Sequence, residues 1–286
     1  MIRWIWLLGL WILIPCCGCQ DSNASETKRP IEKASSIEIS NNIVWHWENR
    51  FSKDEVSQIK SWLKEIDQAV IHTLGKYNFE MHFYIHRSKR GDEPVPWAHT
   101  SRSEEQGVHF HVNMDYDVDE FLNDWTAQHE ISHLSIPFLG SSNAWFSEGY
   151  ATFMQYKIMQ NQGVYTAEQV SKRFLTRIAE CKENYQSDQP LPKVADSLRQ
   201  KWEYPDMYWG GFTFFYVLDK QLQKNHEMQL TELIDAYVDC CRKNHSSPEE
   251  LCKSWDNILG SKIASDLLFQ YKNEPARDIF KMIEQQ

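Results

Sequence analysis

The apolar positions change their period along the chain. Ile37, Ile39, Ile43 and Trp45 alternate with polar residues, the pattern of a strand that buries one face. Ser52, followed three residues later by Glu55, forms a capping box that opens a helix running to about Leu74. Phe79 to His86 alternates again, and Gly107 to Met114 gives another strand. The stretch between them, Arg87 to Gln106, is rich in charge, Pro and Gly and reads as a loop of the kind that lines sites. After Asp117 the period lengthens to that of helices, expected near 119–136, 145–161, 167–182, 206–223, 230–243, 248–257, 261–271 and 275–284. Ser247-Pro248-Glu249-Glu250 is a good start signal, with an N-cap, a proline at the first helical position and acids facing the positive end of the helix dipole. The class expected is α+β: a small N-terminal mixed sheet with one helix, then a predominantly helical C-terminal half.

Composition narrows what such a chain can do. Of 286 residues 42% are hydrophobic, enough for a substantial core, and the formal charge of −10 leaves no broad cationic surface for phosphate backbones, so nucleic acid is not an expected partner. Residues 1–18 read as a signal peptide, with Arg3, an apolar run from Trp4 to Ile14 too short for a stable membrane span, and a Cys-rich end. Gly18 before Cys19 resembles the close of a bacterial lipoprotein signal, although Cys16 stands where an aliphatic residue is usual. That resemblance implies export to the bacterial cell envelope, with a lipid anchor at Cys19 facing the periplasm or exterior. Residues 19–36, poor in apolar side chains, would form a flexible tether. Export would place Cys181, Cys240, Cys241 and Cys252 in an oxidising compartment, where one or two disulfides tying the C-terminal helices compete with the reading of plain buried thiols.

The chemistry is concentrated in His129-Glu130-Ile131-Ser132-His133, inside an apolar-periodic stretch. Residues four apart share a helix face, so the two imidazoles can converge on one tetrahedral Zn²⁺. Glu130 lies one step round that face, placed to take a proton from a water at the centre rather than to ligate. The motif also arises by chance, so context must decide. A third ligand is offered by Glu148, within Trp145-Phe146-Ser147-Glu148-Gly149-Tyr150-Ala151. Between them Pro137, Gly140, Ser141, Ser142 and Asn143 turn the chain, letting the next helix run back antiparallel. The plainer readings are two surface histidines and a helix N-terminal acid held by the dipole. A structural zinc is disfavoured, because such sites are usually closed by four side chains, often Cys, and no Cys is near.

These segments resemble the gluzincin peptidases, in particular the catalytic domain of the aminopeptidase N family. Ser147-Glu148-Gly149-Tyr150-Ala151 is similar to that family's Glu-ligand segment, after a shorter loop. Tyr208-Trp209-Gly210-Gly211 is similar to its Y-x-K-G segment, with Gly210 in place of the Lys. The resemblance implies a zincin-like catalytic domain over 37–222, followed by a C-terminal helical region over 223–286. It implies one Zn²⁺ held by His129, His133 and Glu148, with Glu130 as general base, Tyr208 as oxyanion donor, and a peptide or protein substrate. The family's G-x-M-E-N segment, which binds a free amine, has no counterpart, and Gly107-Val108-His109-Phe110-His111 is expected at the equivalent edge strand. Gln155 stands where an acid often orients a zinc ligand, and its amide oxygen could accept the same N–H.

His109 and His111, with His82 and His86, suggest a second metal site, but no carboxylate or cysteine falls at a matching interval. They are read as an ordinary solvated sheet face that could line the substrate groove. Two further functions stay open: a catalytically silent zincin-like binding lipoprotein, and an envelope hydrolase acting on something other than protein, such as a peptidoglycan cross-link. The sequence sets no oligomeric state.

Overall fold

The computed structural model describes residues 38–40, 43–89, 91–102 and 105–284. The expected signal peptide, Cys19 anchor and tether lie outside them. Strand β1 (Glu38–Ser40) pairs antiparallel with β2 (Ile43–Trp47), so the stretch expected as one alternating strand is two. Helix α1 (Lys53–Leu74) opens on the Ser52–Glu55 capping box and crosses over to β3 (Met81–Arg87), parallel to β2. The expected loop contains a strand, β4 (Trp97–Arg102), which pairs antiparallel with β5 (Gln106–Val112). Its six residues lack a buried alternating face, and ladder bonds to β5 rather than apolar periodicity define it. The sheet order is β1-β2-β3-β5-β4. The Gly107–His111 segment is therefore internal, and β4 forms the edge in its place.

One face of this sheet carries Phe83, Ile85, Val108 and Phe110, all fully buried, against Trp62, Leu63 and Ile66 of α1. The Trp62 and Phe110 rings meet edge to face, centroids 5.6 Å apart. Within this apolar layer sits Asp67, 2% exposed, whose Oδ1 has no hydrogen-bond partner among the described residues. Burial pushes its carboxyl up to about 6. A pKa raised on folding means the stabilising neutral form is fully present below about pH 4 and is lost as pH climbs through about 6. That costs about 3 kcal/mol at neutral pH. Asp67→Asn should therefore gain stability over the parent between pH 4 and pH 7 in urea unfolding; an equal difference at both pH values would refute this.

The C-terminal half is helical. Its elements are α2 (Val118–Asn123), α3 (Thr126–Ser132), α4 (Ala144–Asn161), α5 (Ala167–Cys181), α6 (Leu191–Gln200), α7 (Tyr204–His226), α8 (Leu230–Cys240), α9 (Pro248–Leu259), α10 (Ile263–Asn273) and α11 (Ala276–Ile283). The helix expected over 119–136 is broken at Asp124, which is extended (ψ 138°) and whose Oδ1 accepts the Thr126 N–H at 2.8 Å. Helix α6 escaped the sequence reading because Pro190 and Pro192 flank its first residue and it buries only Leu191, Ala195 and Leu198. Cys240 and Cys241 are bonded to each other, and the expected tie between helices does not form, since these two are chain neighbours. Cys181 and Cys252 are free, buried thiols. No helix of the described residues is long and apolar enough to cross a membrane.

Candidate metal centre

Helix α3 is only seven residues long, and His133 begins a 3-10 turn immediately after it. The two imidazoles nonetheless stay one turn apart, ring centroids 5.0 Å at 83°. What holds so short a helix is a set of side chains on the carbonyls its end leaves without partners. Thr100 donates to the Glu130 carbonyl at 2.8 Å, and the Tyr77 hydroxyl to that of Ile131 at 3.1 Å. Arg102 donates through Nε and Nη2 to the His133 carbonyl, and Arg242 Nε donates to that of Leu134 at 2.6 Å. Two guanidinium cations thus meet the negative end of the helix dipole. Burial lowers Arg102 to about 10, still charged at neutral pH.

Helix α4 brings Glu148 to the same place. Glu148 Oε2 lies 3.1 Å from His129 Nε2 and 3.6 Å from His133 Nε2. These three donor atoms all fall within 4.8 Å of one another. Ligands about 2.0–2.1 Å from a tetrahedral zinc stand roughly 3.3 Å apart, so both the spacing and the two-nitrogen, one-oxygen donor set fit that ion. Seven positions along α4, Gln155 Oε1 accepts from His129 Nδ1 at 2.8 Å, the contact expected of it. His133 Nδ1 is buried without a hydrogen-bond partner among the described residues. Burial disfavours charge on both rings and holds His133 below the ordinary imidazole value; at His129 the hydrogen bond and charge of Glu148 outweigh burial and raise it. Burial works to raise Glu148 as well, but the charge of His133 and the hydrogen bond from His129 dominate and hold it far below the usual carboxylate range.

Glu130 points to the sheet side, where the one proton of the Thr100 hydroxyl is shared between its Oε2 and its carbonyl, each 2.8 Å away. Tyr208, from the first turns of α7, stacks its ring on His129 with centroids 5.9 Å apart. Burial, with the charges of Glu148 and Glu130, pushes its phenol well up, so it keeps its proton. His129, His133, Glu148 and Tyr208 therefore meet in one place, while the Glu130 carboxylate lies on Thr100 at the sheet side of it. Trp125 closes another side, its ring edge-on to His129 at 5.3 Å. A cleft of about 370 Å³ opens beside Gln155 and Tyr208, walled by Trp125, Tyr156 and Tyr204, with Arg173 on its rim. Thr100 and Arg102 were missed because they lie in the supposed loop. No apolar alternation marks Trp97–Arg102 as a strand, and Tyr77 and Arg242 carried no signal either.

His109 and His111 do not face this centre. Strand alternation turns Val108, Phe110 and Val112 into the core and the two histidines to the opposite face, away from Thr100 and Arg102. The expectation that they line the substrate groove is not met.

No known family model matches the chain, and no curated protein matches it. Solved structures do. Yeast LTA4 hydrolase superposes with a TM-score of 0.55 at 13% identity over 84% of this chain and 39% of its own. The same enzyme bound to bestatin gives 0.54 at 12% over 82% and 38%. An aminopeptidase N family protein from Idiomarina loihiensis gives 0.52 at 14% over 84% and 46%. The fold is that of a zincin-like domain, and the chain spans less than half the length of these proteins.

Proposed function

We propose that this chain is a zinc-dependent peptide hydrolase of the gluzincin type. The observation that carries the reading is the convergence of His129 Nε2, His133 Nε2 and Glu148 Oε2 at donor spacing suited to one zinc ion. Bound there, zinc would supply a Lewis acid that polarises a substrate carbonyl and acidifies water. Glu130, its carboxylate held by Thr100, takes the proton of the attacking water and passes it to the leaving amine. Tyr208 donates its hydroxyl to the oxyanion that develops on the carbonyl. The outer edge of β4 pairs with no strand among the described residues and runs beside α3, so an extended peptide can add to it by main-chain hydrogen bonds. The aromatic cleft beside Tyr208 then receives a side chain of that peptide. Export and the lipid anchor at Cys19 would set this activity in the cell envelope.

The test is digestion of a mixed peptide library by the chain stripped with chelator and then reloaded with zinc, read by mass spectrometry. Cuts should appear only after reloading; their position, internal or one residue from an end, reads out the mode of cleavage. Tyr208→Phe should retain zinc and KM while kcat falls about 10²–10³-fold, the usual effect of losing one oxyanion donor. Zinc binding without any cut would overturn the peptidase and leave the silent binding lipoprotein, or a hydrolase of non-protein cross-links, in its place.

A further inference from the structure

The outer face of the sheet gathers six of the chain's eleven histidines. His46 stacks on Tyr84, Tyr84 on His109 and His109 on His99, with centroids 4.2, 4.2 and 4.5 Å apart. A second row runs from His86 through His111 to Trp97, at 4.5 Å for each step. His82 is the sixth, and it differs from the others. Its register partner on β5 is Gly107, where a Cβ would come within 1.8 Å of the His82 carbonyl oxygen. No ring therefore covers it from that side. Instead its Nδ1 lies 2.9 Å from His46 Nε2 and 3.8 Å from Oε2 of Glu105, just before β5. Glu105 is in turn oriented by the Tyr84 hydroxyl, which donates to it at 2.6 Å. His46, His82 and Glu105 each offer a donor atom within 4.8 Å of the other two.

We propose that His46, His82 and Glu105 form a second cation site, for a divalent transition metal with copper(II) preferred, on the sheet face opposite the metal centre. Two imidazole nitrogens and a carboxylate are the donors such ions select, and copper(II) heads the affinity order for them. The 2.9 Å between His46 and His82 is a ring-to-ring hydrogen bond that a bound cation displaces, and His82 stands 3.8 Å from Glu105, so the copper(II) preference rests on the donor set and the affinity order. The spacing that the sequence left without a carboxylate is completed by the reversal between β4 and β5, which carries Glu105 to β3. Glu105 is more than half exposed, so a cation reaches the site directly from solvent.

The site is independent of the proposed peptidase activity, and the experiment keeps the two apart. The full chain, stripped of metal, is dialysed against copper(II) alongside His129→Ala, Glu105→Gln, His82→Ala and the combination of His129→Ala with Glu105→Gln. The His129→Ala chain should still bind one equivalent, with an electron paramagnetic resonance spectrum split by imidazole nitrogen. Glu105→Gln in that background should lose it. Glu105→Gln changes one exposed carboxylate and keeps the test valid if His82→Ala fails to fold. If the His129→Ala chain bound no copper(II), or bound it equally with and without Glu105→Gln, the second site would be excluded.

Discussion

On the proposed function, Glu130→Gln should retain zinc and lose turnover by on the order of 10²–10⁴-fold, the range a general base contributes. The substitution is nearly isosteric, and the Thr100 hydroxyl that donates to the carboxylate at 2.8 Å can donate equally to an amide oxygen. Neither His129, His133 nor Glu148 depends on Glu130 for its position: His129 is held by Gln155 and Glu148, and the end of α3 by Tyr77, Arg102 and Arg242. What the amide cannot do is accept a proton from water. Metal analysis paired with kcat on a peptide cleaved by the parent separates these effects. Parental kcat in the variant would mean that another group acts as base. His129→Ala is the complementary case, expected to lose zinc and turnover together.

Gly149→Ala should destabilise the protein and, on the proposed function, lower kcat. In an open helix the change would be stabilising by about 1 kcal/mol, because Ala is the better helix former. Here the sign reverses. A Cβ at Gly149 would lie 2.2 Å from the carbonyl carbon of Gly211 and 2.5 Å from the Phe212 nitrogen, and one at Gly211 would lie 1.8 Å from the Trp145 carbonyl oxygen. Helices α4 and α7 thus touch backbone to backbone, and no flexible side chain can move aside. Forced separation costs about 1–3 kcal/mol or more beyond the lost propensity gain, which for a chain of this size lowers Tm by several degrees, at about 2–4 °C per kcal/mol. Because α4 carries Glu148 and α7 carries Tyr208, separation also moves the hydroxyl away from the centre, and kcat should fall. A Tm raised by the substitution would show that the helices do not meet here.

The same contact explains two glycines that the sequence flagged only by likeness. Gly149 follows the Glu ligand and Gly211 closes the Tyr208 segment, and each is the other's neighbour across the helix pair. Gly210 has its own reason: a Cβ there would run into the Tyr185 hydroxyl at 1.9 Å. Sequence reading located these positions without supplying their cause, since the cause lies on another helix.

The sequence by itself determined whatever one helical turn or one capping motif can specify. The spacing of His129 and His133 places both rings on one face, Ser52 with Glu55 opens α1, and α4 and α5 fall within a residue or so of where the apolar period puts them. Tertiary structure decided the rest. Strand β4 exists because β5 bonds to it, the carbonyls at the end of α3 and in the 3-10 turn after it are held by residues 31, 54 and 108 positions away, and the histidine face is assembled from four strands. The division follows from range. A turn of helix is fixed by neighbours already close in the chain, whereas an edge strand, a guanidinium on a distant carbonyl or a row of stacked rings has no local pattern until packing brings its parts together.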